Sequence, residues 1–406
     1  MIELSTHIPV LIFILGLLVV LSLWIKALLF KRNIPPLVGF IILGWLLRLS
    51  DNYWNILSES FLSFLYVLSD IGIIVLLFHI GYRSHINALI KQLYRASLLA
   101  ISNILLSGIS VFYVSYSLFS IAWIPSLFLG VAATATSIGI TVSIWKEHDI
   151  LNSREGNLLL DLVALDDIIA IILMGILFNL APMIHEKSAA LDVSLVIFPT
   201  LAIIGKLLLF ISLCYVFSHF AEPALMQYLK RYESLPDPII TVAGIGLIIA
   251  SFAAFMGFSV ALGGFFAGIS FSRDSNTVNA KYSLETLEDF FVPFFFIGIG
   301  FKISMASLLM SVGVAIGLLI CAIAGKFIGI YFPARMIRIS QFNALILAIS
   351  MIPRAEVAMI TMDHGLRLGD WAVSADIYSL MVLISLVTSI IAPLTLQPLL
   401  KTGRAV

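Results

Sequence analysis

The stretch LLLDLVALDDIIAIILMGILFNL, residues 158–180, is long and apolar enough to cross a bilayer, yet it carries two adjacent aspartates, Asp166 and Asp167. A charge at the centre of a membrane helix costs at least about 2.5–3.5 kcal/mol, so an intramembrane carboxylate indicates a functional site. Two neighbouring carboxylates compound that cost because like charges repel. The pair is therefore the first candidate site, able to hold protons or a metal cation.

The rest of the chain is similarly apolar. Of its 406 residues 61% are hydrophobic and only 11% are charged, whereas soluble domains average about 25% charged residues. The net charge is zero and gives no reason to expect a nucleic-acid partner. Cys214 and Cys321 lie in apolar segments and suggest neither a disulfide framework nor a metal motif. We therefore predict an all-α polytopic protein of the lipid bilayer, because the apolar runs are too long for barrel strands.

Polar breaks divide the chain into apolar segments and predict about 13 transmembrane helices. The segments are 8–30, 35–49, 61–81, 96–118, 123–145, 156–181, 191–219, 237–256, 258–272, 288–305, 307–335, 341–362 and 372–400. Only a tight turn at Met256–Gly257 separates the eighth segment from the ninth, so the total is open by one helix.

Lys and Arg residues orient these segments, because positive charge collects in cytoplasmic loops. With the N-terminus outside and the C-terminus cytoplasmic, fifteen Lys and Arg residues lie in inner loops and four in outer loops. The fifteen are Lys31, Arg32, Arg83, Lys91, Arg95, Lys146, Arg154, Lys230, Arg231, Arg273, Lys281, Arg335, Arg338, Lys401 and Arg404; the four are Arg48, Lys187, Lys302 and Arg367. We expect this orientation in an inner (cell) membrane.

Three further charged residues lie deep in apolar segments: Lys326, Arg354 and Glu356. Buried charges are normally paired, so we expect Asp166, Asp167 and Glu356 to balance Lys326 and Arg354. Since successive residues are about 100° apart on a helix, one aspartate can face Lys326 while the other faces a water-filled cavity. The alternative is that these residues form only structural ion pairs between helices.

Two segments have the composition of interrupted helices. Residues 132–141, AATATSIGIT, are rich in small and hydroxylated residues, and Pro353 interrupts segment 341–362. Two discontinuous helices that cross at the membrane midplane, in two halves of inverted topology, are typical of a transporter site. Small residues that only pack helices together are the alternative for 132–141.

Several strings in order resemble the monovalent cation:proton antiporter superfamily, and its Kef/NapA-like branch in particular. They are ATATSIGIT (133–141) followed by Asp166–Asp167, FSVALGGFFAGISFS (258–272), FVPFFFIGIGFKI (291–303), AGKFIG (324–329) and IPRAEVAMI (352–360). The last string has Ala355 where the family usually has Gly. Kef members also carry a soluble nucleotide-binding domain, for which we expect no counterpart here.

The resemblance implies roles for individual residues. Asp167 would be the principal ion carrier and Asp166 the aspartate that pairs with Lys326, both binding Na+ transiently. Thr136 and Ser137 would border the ion, and Arg354 and Glu356 would be a structural charge pair near the second crossover. The implied organisation is one exchanger domain over 1–406, with a core bundle of 96–181 and 307–400, a scaffold and dimerisation bundle of 1–95 and 237–305, and a linker helix of 191–219.

The predicted function is secondary active antiport of a monovalent cation for protons, by elevator-like alternating access in a homodimer. Sodium, with lithium, is preferred over potassium on the aspartate pair alone, and two protons per cation is the implied stoichiometry. A K+/H+ efflux antiporter and a sodium-coupled organic-anion symporter of the same fold remain alternatives, as do a channel and a sensor. No cofactor is expected, and an enzyme is not, because no nucleophile–base pair, metal cluster or phosphate loop is evident.

Overall fold

The structure is a computed structural model, and it describes most of the chain. The described residues are 2–30, 34–54, 57–83, 86–137, 141, 144–145, 148, 150–151, 153–186, 193–231, 238–272, 278–303, 312–354 and 356–401. Ala355, residues 138–140 of the first interrupted segment, and the loop cations Lys31, Arg32, Lys146, Lys187, Arg273 and Arg404 lie outside them.

The described chain is helical throughout, which confirms the all-α prediction. In order the helices are α1 (Ile2–Phe30), α2 (Pro36–Trp54), α3 (Glu59–Arg83), α4 (Ile86–Tyr113), α5 (Trp123–Thr134), α6 (Arg154–Glu186), α7 (Val193–Val216), α8 (Glu222–Arg231), α9 (Pro238–Phe255), α10 (Val260–Ser270), α11 (Val278–Phe301), α12 (Val312–Met336), α13 (Gln341–Ser350), α14 (Glu356–Leu368) and α15 (Ala375–Lys401). Single π-helical turns extend α4 (Val114–Leu118) and join α7 to α8 (Phe217–Ala221).

Six helices of the described chain are long and apolar enough to cross a membrane. Their spans are Ile12–Leu29, Phe61–Tyr82, Arg95–Leu118, Leu201–Leu225, Gly313–Met336 and Ala375–Leu400. Shorter apolar helices include Trp123–Thr134 and Gln341–Ser350, which are the half-helices of the two interrupted segments. The predicted turn between α9 and α10 is present, and Gly257 there has a φ of 90°, a value that favours glycine. The total of 13 crossings stays a prediction.

The chain divides into two compact units. The first comprises Met1–Arg83, Leu213–Ala254 and Gly263–Ile303, and the second comprises Ser84–Ser212, Phe255–Leu262 and Ser304–Val406. One of the five boundaries falls within α7, inside the segment predicted as a linker, and the others fall after Arg83, within α9, within α10 and after Ile303. The core and scaffold roles assigned from the resemblance stay predictions.

In the first unit, glycines allow α11 to approach α2 closely. A Cβ atom on Gly300 would lie 1.9 Å from the carbonyl oxygen of Ile41, and one on Gly44 would lie 2.0 Å from that of Ile297. Small residues at such contacts let membrane helices pack backbone to backbone. The two helices are therefore held at a separation that only glycine permits.

We expect Gly300→Ala to lower the free energy of unfolding by about 1–3 kcal/mol, because the backbone must move to admit the methyl group. Thermal unfolding in detergent measures this loss. Gly244→Ala in α9 is the control, since a Cβ there meets nothing within 4 Å. The control should melt at or above the wild-type temperature, because Ala is the better helix former. Equal melting of the two variants would contradict the packing argument.

The second unit packs α4, α5, α6 and α12–α15 around a continuous apolar core. Glycines on either side of Lys326 bring α12 against α4: a Cβ on Gly325 would lie 2.9 Å from the Cα of Ser107, and one on Gly329 would lie 2.9 Å from the Cα of Asn103. The AGKFIG string thus places the lysine at a close contact between two helices.

Both interrupted segments are broken in the structure. Helix α5 ends at Thr134, and Ala135 is extended, with φ −66° and ψ 149°. Helix α13 ends at Ser350, and α14 begins at Glu356. The two breaks contact each other, because the amide of Ser137 donates to the carbonyl of Pro353 at 2.8 Å. Irregular backbone at membrane depth is tolerated only where protein or a cavity satisfies its polar groups.

Candidate ion-binding site

Helix α6 carries the aspartate pair into the core of the second unit, and Asp166 there is fully buried and fully engaged. Its Oδ1 accepts a hydrogen bond from Asn103 Nδ2 at 2.8 Å. Its Oδ2 accepts one from Thr136 Oγ1 at 2.6 Å and lies 3.4 Å from Lys326 Nζ. Two helices, α4 and α12, and the break after α5 therefore each contribute a donor to one carboxylate, and its charge is compensated.

Lys326 connects that carboxylate to the end of a half-helix. Its ammonium group is fully buried and donates to the hydroxyl of Thr136 and, at 2.6 Å, to the carbonyl of Thr134. Thr134 is the last residue of α5, where carbonyls lack intrahelical partners and the helix dipole is negative. The lysine thus neutralises both a carboxylate and a helix C-terminus.

Asp167 differs from its neighbour. It is 5% exposed, and no hydrogen bond or ion pair to its carboxylate is found in the part of the chain that the structure describes. A buried carboxylate without such partners is costly as a bare anion. It can lower that cost by taking up a proton or a cation, which are the two alternatives that an exchange site requires.

Arg354 lies in the second break, Glu356 is the first residue after it, and the two side chains reach different partners. The fully buried Arg354 donates from Nε to the carbonyl of Ala133 at 2.9 Å and from Nη2 to that of Ala322 at 2.7 Å. Glu356 accepts a hydrogen bond from Ser137 Oγ at 3.1 Å and begins α14. A cation therefore lies at the C-terminus of α5 and a carboxylate at the N-terminus of α14, each at the favourable end of its helix dipole.

The structure thus brings six of the predicted site residues into a network of hydrogen bonds around the two breaks, and Asp167 adjoins this network through Asp166. The predicted set was Asp166, Asp167, Thr136, Ser137, Lys326, Arg354 and Glu356. Their assigned roles as ion ligands or charge compensators stay predictions.

Three network members were absent from the sequence-based prediction. Asn103 binds Asp166, and two hydroxyl groups of α15 satisfy the backbone at the second break: Arg354 N donates to Thr388 Oγ1 at 3.3 Å, and Ser389 Oγ donates to Arg354 O at 3.1 Å. The signal for Asn103 was an amide side chain in an otherwise apolar segment. Hydroxyl groups are too common in membrane helices to single out two of them.

Asn103→Leu, which approximately keeps the side-chain volume, should lower the free energy of unfolding by about 1.5–3 kcal/mol, because a hydrogen bond to a charged group is lost. Ser107→Ala is the matched control. Ser107 lies one turn further along α4, is equally buried, and donates to its own helix at 3.5 Å. Thermal unfolding of both variants tests the assignment, and a control as damaging as Asn103→Leu would refute it.

Discontinuous membrane helices that meet at buried, compensated charges are characteristic of secondary transporters. Comparison with known families gives the same class. The profile of the sodium/hydrogen exchanger transmembrane family matches residues 11–402, and the chain belongs to this family. The family is one of transporters rather than enzymes, and the predicted Kef/NapA-like branch stays a prediction.

Individual relatives agree with the family assignment. The chain is 26% identical to a Na+/H+ antiporter of Enterococcus hirae, over 90% of this chain and 92% of the relative. It is 26% identical to the high-affinity Na+/H+ antiporter NhaS3 of Synechocystis, over 83% of this chain and 72% of the relative. Its fold is similar to that of the sodium proton antiporter MjNhaP1 from Methanocaldococcus jannaschii, with a TM-score of 0.70, 15% identity, and 97% and 98% of the two chains covered.

Proposed function

We propose that this protein is a secondary antiporter that exchanges Na+, or Li+, for protons across an inner (cell) membrane. The observation that carries the proposal is the contrast within the aspartate pair. Asp166 is held by three donors, whereas no hydrogen bond or ion pair to the adjacent Asp167 is found among the described residues. The relatives compared above are Na+/H+ antiporters, and Na+ and H+ are the two ions that such a site would exchange.

The proposed chemistry is competition at one carboxylate. A protonated Asp167 carries no charge and binds no cation, and an arriving cation must displace the proton. Cation affinity therefore depends on pH, because each bound proton must leave before the cation binds. Asp166 and Lys326 keep the surroundings of Asp167 close to neutral, so the occupancy of Asp167 sets the charge of the site.

Thr136 and Ser137 supply oxygen atoms beside the pair. In the structure Thr136 donates to Asp166 and Ser137 donates to Glu356. Both hydroxyl groups lie on the non-helical backbone after α5, where side-chain rotation can turn an oxygen lone pair towards a cation. We propose them as ligands that complete the cation site when Asp167 is ionised.

The wider arrangement follows the expectations from the sequence. We propose a homodimer with the N-terminus outside and the C-terminus cytoplasmic. Elevator-like alternating access, in which the helices that hold the site move relative to the bilayer, delivers the ion to either side. Na+ and protons are the substrates, and no resident cofactor takes part.

Reconstituted protein tests the proposal. Liposomes containing the purified protein and a pH-sensitive dye are given an imposed pH gradient, and Na+, Li+, K+ or an organic anion is then added. Collapse of the gradient on addition of Na+ or Li+ is the expected result. A response to K+ alone would change the proposed cation, and a response only to an organic anion together with Na+ would replace antiport with symport.

A further inference from the structure

The second unit contains a basic pocket of about 90 Å³ that is not part of the aspartate site. Its lining includes Arg95 from α4, Arg154 and Glu155 from α6, and Arg338 and Ser340 from the connection between α12 and α13. The three arginines and the one glutamate give the lining a net charge of +2. Clustered positive charge around a concave surface concentrates anions.

Among the described residues, no carboxylate forms an ion pair with the three arginines of the pocket. Within the described residues no salt bridge is found to Arg95, Arg154 or Arg338, and all three side chains are exposed. Glu155 lies in the same lining without pairing to any of them. Guanidinium groups present planar, multiple N–H donors that match the oxygens of a phosphate group.

The backbone of Arg338 gives independent support for a bound anion. Helix α12 ends with two hydrogen bonds, from Arg338 N to Arg335 O and from Ile339 N to Ala334 O. This pattern is a Schellman motif, in which the residue at the position of Arg338 is usually Gly. Arg338 there has a φ of 65°, which costs a residue with a Cβ atom. The chain therefore has an arginine at a position that favours glycine. Residues held in strained backbone conformations often occur at ligand sites.

A helix N-terminus completes the lining. Ser340 caps α13 and accepts a hydrogen bond from the amide of Asn343, which also lines the pocket. The positive end of the helix dipole adds to the field of the arginines and favours an anion.

The position of the pocket indicates the source of the anion. Arg95 begins the apolar span Arg95–Leu118, and Arg338 follows the span Gly313–Met336 by two residues, so both lie where a helix leaves the membrane. Phe332 and Met336, near the same end of α12, are 59% and 78% exposed. Exposed apolar side chains beside arginines suit the acyl chains and headgroup of an anionic lipid.

We propose that this pocket binds the phosphate group of an anionic phospholipid. The bound headgroup bridges α4, α6 and α13, three of the helices that surround the aspartate site. It holds their ends together about 18 Å from the aspartate pair, the length of twelve helical residues between Arg154 and Asp166. The proposal concerns binding and does not depend on transport.

Thermal unfolding of the delipidated full chain in neutral detergent tests the proposal. Phosphatidylglycerol is compared with phosphatidylcholine of the same acyl chains, and inorganic phosphate is compared with chloride at equal ionic strength. The variants are Arg338→Gly, Arg154→Gln and, as the control, Arg335→Gln. The control removes the same charge from the same end of α12, but from a side chain that does not line the pocket. Arg335 Nη1 donates to the carbonyl of Ile339 at 2.6 Å, so the control is compared by its response to lipid and not by its melting temperature without lipid.

Phosphatidylglycerol should raise the melting temperature of the wild type by several degrees, whereas phosphatidylcholine should not. Arg338→Gly should melt at or above the wild type without lipid, because glycine relieves the strained cap, yet lose more than half of the lipid response. If Arg338 had a purely structural role, Arg338→Gly would instead melt below the wild type without lipid and would keep the lipid response.

Arg154→Gln should lose a similar share of the response, and Arg335→Gln should keep it. Equal responses in all four proteins, or an equal response to phosphatidylcholine, would overturn the proposal. Stabilisation by inorganic phosphate that requires Arg338, without a response to the lipid, would retain a phosphate site but overturn the lipid assignment.

Discussion

Asp167→Asn is expected to reduce cation-dependent proton exchange to the level of protein-free liposomes while the protein stays folded. Asn has the size of Asp, but the amide that replaces the carboxylate of Asp167 neither ionises nor offers a negative charge to a cation. The hydrogen bonds found at the pair go to Asp166, so the substitution should leave them in place. Removing a costly buried charge should also leave the melting temperature unchanged or raise it.

The measurement is the decay of an imposed pH gradient on addition of Na+, with the melting temperature as a check on folding. Asp161→Asn is the matched control, because it makes the same substitution on the same helix, six residues earlier, at a residue that has no contact in the Asp166 network. The control should retain exchange. Wild-type exchange in Asp167→Asn would remove this residue as the carrier, and loss in both variants would point to a general effect of charge on α6.

The charged residues of the site could be predicted from the sequence, because a charge within an apolar segment has few explanations. Asp166, Asp167, Lys326 and Arg354 stood out for that reason. Pro353 indicated a break because proline removes a backbone hydrogen bond, although Pro182, Pro293 and Pro333 lie inside helices of the structure. The free-energy cost of a buried charge does not single out Asn103. A neutral amide is cheaper at membrane depth than a charge and gives a weaker signal.

From the residues alone the partners of each charge could not be predicted, because they depend on the rotation of every helix about its axis. The pairing of Asp166 with Lys326, whose charged groups lie 3.4 Å apart, was expected only from the family resemblance. Periodicity places Asp166 and Asp167 on different faces without saying which face meets Lys326. The contacts of Arg354 are backbone carbonyls of Ala133 and Ala322, which no side-chain pattern reveals. Backbone strain at Arg338 is hidden for a related reason, since φ follows from the packing of α12 and α13 and not from residue type.

The buried Arg354 should be the most damaging position for folding. Arg354→Met is expected to lower the free energy of unfolding by about 3–5 kcal/mol, the usual cost of removing one partner from a buried charged network. The guanidinium group holds the carbonyl of Ala133, near the end of α5, to that of Ala322 in the middle of α12. Without the guanidinium group, Lys326 is the one cation among the described residues that still contacts the C-terminus of α5. The carbonyl of Ala133, which has no intrahelical partner, is then left buried.

Arg367→Met is the control, because it removes the same side chain from α14, the half-helix that follows Arg354. The Arg367 side chain is 41% exposed and contacts the carboxylate of Asp363, which is only 7% exposed, at 2.8 Å. Its removal should therefore cost more than the roughly 0.3–0.5 kcal/mol of a fully exposed pair at this spacing, but less than Arg354→Met. Arg354→Lys should fall between wild type and Arg354→Met, since an ammonium group keeps the charge but does not match the fork that spans two carbonyls. Thermal unfolding and the monodispersity of the detergent-solubilised protein measure the order. If Arg354→Met melts with Arg367→Met, the bridge between α5 and α12 contributes no more to folding than the half-exposed ion pair of α14.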